Sequence, residues 1–96
     1  MELLIKIPDA IEPLERGSRF DLPLIEMLEP IGGDIVDSGT FLDGQQVTCC
    51  SISVVVPNED TIAQVISILI AGRAIAGTTI SKESPTEGWE VIWISE

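Results

Sequence analysis

Residues 2–7 alternate strictly, with Leu3, Ile5 and Ile7 on one side and Glu2, Leu4 and Lys6 on the other. That period of two predicts a half-buried strand, which Pro8 ends. Pro13 and Gly17 interrupt the following residues, which read as a long connection reaching to about residue 20. Asp21 is then placed to cap a short helix whose inner stripe is Leu24, Ile25 and Leu28, with Met27 beside it. Pro23 falls in the first turn of that helix, where no backbone N–H is needed, and Glu26 and Glu29 face solvent. Pro30, Gly32 and Gly33 stop the helix.

The stretch from Gly33 to Pro57 reads as a β-hairpin. One strand covers residues 34–42, Asp43 and Gly44 form the turn, and a second strand covers residues 46–56. Cys50, Ile52, Val54 and Val56 share one face of the second strand; Ser51, Ser53 and Val55 share the other. Asn58 caps a second helix, with Glu59 and Asp60 in its first turn. Ile62, Val65, Ile66 and Leu69 form its buried stripe, Ile68 and Ile70 widen it, and Gly72 or Gly77 ends it. Strands over residues 78–82 and 89–94 close the chain, joined through Ser84-Pro85-Thr86-Glu87-Gly88. On a period of two, Trp89, Val91 and Trp93 fall on one face of the last strand and Ile92 and Ile94 on the other.

The expected fold is therefore α+β: a ferredoxin-like sandwich of order βαββαββ, with two helices on one face of a mostly antiparallel sheet. Ninety-six residues suit one domain, residues 1–96. An apolar content of 45% argues against disorder. The N-terminal segment carries Glu2 in a short apolar run, and no stretch reaches the ~20 apolar residues of a membrane span, so the expected location is cytoplasmic.

Charge alters this picture. Sixteen acids against five bases give a net charge of −11. Such a field repels nucleic acid and anionic membranes and attracts basic surfaces. The acids are also clustered. Residues 9–43 hold nine (Asp9, Glu12, Glu15, Asp21, Glu26, Glu29, Asp34, Asp37 and Asp43) against Arg16 and Arg19, a balance of −7. Residues 44–58 carry no charge, and residues 61–82 carry only Arg73 and Lys82. Arg16 and Arg19 are expected to tie the first connection to nearby acids, and Arg73 to serve the end of the second helix as a terminal cation.

The chain contains no histidine and no tyrosine, which removes the commonest general base and metal ligand. Gly32 and Gly33 precede a strand, whereas a phosphate-binding turn opens a helix, so no cofactor is expected. Asp34 and Asp37 are three apart on a predicted strand and should face opposite sides. With no calcium-loop spacing among the acids, no metal site is expected either. Cys49 and Cys50 are neighbours that point to opposite faces, a geometry that excludes an ordinary disulfide between them. The expected function is binding, not catalysis, with a carboxylate-only enzyme as the remaining catalytic option.

The run RFDLPLIEMLEPIGGDIVDSGTFLDG, an uncharged strand, and then NEDTIAQVISILIAGRAIAGTTI together resemble a group of small acidic bacterial proteins. The matching residues are Pro23, Leu24, Gly33, Gly39, Thr40, Gly77 and Thr78, most of which specify turns. The resemblance to polymorphic-toxin immunity proteins implies a cognate toxin domain with a basic surface as partner, its active-site cleft covered by the acidic region. Glu26, Glu29, Asp34, Asp37 and Asp43 are the expected contact set, on a chain that is a monomer or homodimer. The alternative is a dimeric, ferredoxin-like domain that senses a small molecule.

Overall fold

The computed structural model describes residues 1–43, 46–84 and 88–96. Its elements are β1 (Glu2–Ile7), α1 (Pro13–Arg16), a π-helical turn (Gly17–Asp21), α2 (Leu22–Leu28), a 3-10 turn (Glu29–Ile31), β2 (Asp34–Asp43), β3 (Gln46–Val55), α3 (Thr61–Ala71), β4 (Thr79–Ser84) and β5 (Gly88–Ile94). Gly44 of the expected hairpin turn, and Pro85, Thr86 and Glu87 of the last connection, lie outside the described residues. Among the described residues no helix is long and apolar enough to cross a membrane.

The first connection is helical, not irregular. Pro13 opens it at a position where its missing N–H costs nothing, and Gly17 adopts helical angles (φ −56°, ψ −48°). Phe20, Leu24 and Leu28, spaced four apart, are all fully buried and form one helical stripe. Asp21 sits inside this run at φ −61°, ψ −50° and makes no side-chain cap bond, so its expected capping role is corrected. A proline within a helix collides with the carbonyl four residues back, here that of Arg19. The widened π turn, in which the Leu22 N–H reaches the Gly17 carbonyl, lies immediately before Pro23 and relieves that collision.

The five strands are ordered β2-β3-β1-β4-β5, every neighbour antiparallel. Leu3, Ile5 and Ile7 of β1, Cys50, Ile52 and Val54 of β3, and Ile80 of β4 form the sheet side of the core. Phe20, Leu24, Leu28, Val65 and Leu69 form its helical side. The expected class, α+β with helices on an antiparallel sheet, is what the chain adopts. The exact ferredoxin-like βαββαββ arrangement is not matched: the first crossover comprises four helical segments in place of one helix, and the strands lie in the order β2-β3-β1-β4-β5.

Asn58 performs its expected task, its side-chain oxygen accepting the Thr61 N–H at 3.2 Å, and Gly72 ends α3. The cation serving that helix end is a different one from the sequence expectation. Arg73 is exposed with a left-handed backbone (φ 65°). Arg19, reaching across from the π turn, donates from Nε to the Gly72 carbonyl (2.8 Å) and from Nη2 to the Arg73 carbonyl (2.9 Å). It thereby satisfies orphan acceptors at the end of α3 while fastening the π turn to that end. Arg19→Ala should cost about 2 kcal/mol, the scale of lost charge-assisted hydrogen bonds. Urea unfolding checks this, and Arg73→Ala should by comparison be nearly silent.

Candidate partner-binding surface

All helices cover one face of the sheet; the other face is built from the alternate residues of each strand. Pairing aligns these residues in rows that cross all five strands. Asp34, Val55 and Glu2 stand side by side, and Glu83, one step beyond the Leu3–Lys82 pair, continues that row to Trp89. The next row is Asp37, Ser53, Leu4, Ser81 and Val91, and the third is Gly39, Ser51, Lys6, Thr79 and Ile94. Around Leu4 and Lys6 of the central strand, the middle of the face is small and hydroxylated. Carboxylates gather at one end, and the β5 margin is apolar: Trp89, Val91 and Ile94 are 45%, 51% and 58% exposed.

Two β-bulges create this arrangement, and each overturns an expectation from simple alternation. In β2 the register shifts between Ile35 and Asp37, so Asp34 and Asp37 pair with Val55 and Ser53, which share a face. The two aspartates therefore lie on the same side of the sheet, not on opposite sides. In β5 the register passes from Val91 to Trp93 while β4 advances by one residue, leaving Ile92 unpaired. Ile92 and Trp93 both pack against the core, whereas Ile94 joins Trp89 and Val91 on the open face.

Among the described residues none of Glu2, Asp34, Asp37 and Glu83 makes an ion pair. Glu2 and Glu83 are opposed like charges on neighbouring strands, a pairing that destabilises a sheet. Glu83→Gln should therefore raise stability by a few tenths of a kcal/mol. A thermal melt at low salt should detect the gain, and added salt should abolish it.

The expected acidic contact set is divided by the fold. Asp34 and Asp37 lie on the open sheet face, while Glu26 on α2 and Glu29 on the 3-10 turn are exposed in the helical layer. Asp43 ends β2, and its side chain lies outside the described residues. Glu2, Glu83 and Trp89 belong to the surface but were not selected from sequence. Alternation in β1 already put Glu2 opposite the core; the proximity of Glu83 depends on long-range strand pairing.

A second polar cluster lies on the helical side. Arg16 Nε approaches Asp21 Oδ2 at 3.4 Å, its Nη1 donates to the Thr40 hydroxyl, and Ser38 donates to Asp21 Oδ2 at 3.3 Å. Asp21 Oδ1 is buried without a hydrogen-bond partner among the described residues. These bonds tether the helical crossover to edge strand β2. As expected, the adjacent cysteines diverge: Cys50 is buried, its thiol pKa pushed up by burial, and Cys49 is half-buried on the other face. Among the described residues no group of three or more acidic, cysteine or histidine side chains is placed to hold a metal ion.

No protein-family model, curated protein or solved structure matches the chain.

Proposed function

We propose that this chain is a non-catalytic binding protein that captures a basic protein surface on the open face of its sheet. The observation that carries this reading is the organisation of that face. Carboxylates from β1, β2 and β4, without an ion pair among the described residues, sit beside an exposed tryptophan and the exposed aliphatic side chains of Val55, Val91 and Ile94. Aromatic side chains in such settings anchor interfaces, and complementary charge speeds encounter. Five strands of this length present a face of roughly 600 Å², close to one partner's share of a standard interface.

The partner class we propose is a bacterial toxin domain with a basic, nucleic-acid-handling cleft, which the acidic end of the face would cover. The architecture is read as a variant of the ferredoxin-like sandwich, with a segmented first helix and an added edge strand. Charge disfavours self-association through this face. Four carboxylates against Lys6 would meet the same excess in a second copy.

The test is titration against the product of the neighbouring gene across a salt series, with light scattering of the chain alone. Tight binding that weakens with salt, by a neighbour that is toxic when expressed alone, supports the proposal. A non-toxic neighbour that does not bind, or a stable homodimer burying Trp89, overturns it.

A further inference from the structure

At the Lys6 end of the open face, where β1 leaves the sheet and β3 and β4 enter it, lies a cavity of about 420 Å³. Lys6, Ile7, Pro8, Cys49, Cys50, Gly77 and Thr79 line it. The walls are mostly apolar, and the convergent polar groups are the Lys6 ammonium and the Thr79 hydroxyl. A pocket of this size with few polar groups is the usual form of a small-molecule site.

The state of Lys6 selects the ligand. Arg16 is held by Asp21, Arg19 by Glu15 and backbone carbonyls, and Lys82 stands 3.9 Å from Glu59. Lys6 and Arg73 have no ion-pair partner among the described residues, although acids outnumber bases sixteen to five. Arg73 borders a larger groove of about 560 Å³, but Glu15 lines it too and would repel an anion. Among the described residues, no acidic residue lines the Lys6 cavity.

We propose that this cavity binds a small organic carboxylate, with an aromatic or short aliphatic body. The apolar body lies against Ile7, Pro8 and Cys49, and the carboxylate meets Lys6, with Thr79 available to donate a hydrogen bond. The site shares Lys6 and Thr79 with the open face but does not rest on the proposed partner: its ligand is a small molecule, and its charge has the opposite sign to the acidic row at the other end.

Two readouts test it with phenylacetate and octanoate as probes and benzyl alcohol as the uncharged control. Both cysteines line the cavity, but Cys50 is buried and Cys49 only half-buried, so alkylation of Cys49 by neutral iodoacetamide reports occupancy. The acids should slow that alkylation and raise Tm in a saturable way, and benzyl alcohol should do neither. Lys6→Gln, at an exposed position, should weaken carboxylate binding about tenfold or more, the worth of a charge-assisted hydrogen bond. Cys49→Ser should keep the thermal shift. No protection and no shift with either acid, equal effects of benzyl alcohol, or unchanged affinity in Lys6→Gln would each overturn the proposal.

Discussion

Phe20→Ala is expected to destabilise the protein by about 3–5 kcal/mol, lowering the urea midpoint with little change in slope. Phe20 is fully buried where the π turn meets the end of α3. A domain of this length has a total stability of only about 5–14 kcal/mol, so the loss is a large part of the whole. The same contact explains Gly72. A Cβ there would lie 2.6 Å from the Phe20 ring and 2.6 Å from the Arg19 carbonyl, so the π turn and the end of α3 meet only because that position has no side chain. Gly72→Ala alone should cost about 1–3 kcal/mol through overpacking. In the Phe20→Ala background part of that clash disappears, and the double variant should lose less than the sum of the singles. The Arg19 carbonyl keeps the relief incomplete. Strict additivity would mean that Phe20 and Gly72 do not meet as described.

Trp89→Ala should weaken capture of the basic partner about thirtyfold or more while leaving stability nearly unchanged. The indole is 45% exposed on edge strand β5 and contributes little to the core. Trp93→Ala gives the contrasting result: Trp93 lies on the helix-covered face of β5 beside Ile80, packs against the core, and its loss should cost about 2 kcal/mol of stability. Asp34→Asn with Asp37→Asn should slow association and flatten its salt dependence, with a smaller effect on dissociation. If Trp89→Ala binds as the parent does while Trp93→Ala unfolds more easily, the open face is not the interface. Comparing these variants separates a lost contact from a lost fold.

Several features could be read directly along the chain. The alternation of residues 2–7 placed Glu2, Leu4 and Lys6 opposite the core, and β1 carries them there. The hydroxyl-lined face of β3 and the cap at Asn58 were equally visible, because both are local patterns of period or spacing. The helical nature of residues 13–20 was missed for a physical reason. Pro13 and Gly17 are breakers only in a helix interior that cannot adapt, and here Pro13 is initial while a π turn makes room for Pro23. Phe20 could have signalled the error, since it stands four residues before Leu24 and eight before Leu28.

The candidate surface was less legible than the core. Strict alternation separated Asp34 from Asp37 and joined Trp93 to Trp89, and one unpaired residue in each edge strand reversed both results. By itself, then, the sequence determined the class of fold, one domain's worth of apolar stripes, the surplus of carboxylates and the lack of imidazole, since each depends only on composition or short-range spacing. The tertiary structure alone decided which acids stand together, which tryptophan is exposed, and which arginine closes α3. Bulges and strand order are set by contacts between residues far apart in the chain, and a one-residue shift of register turns a side chain from the core to the opposite face.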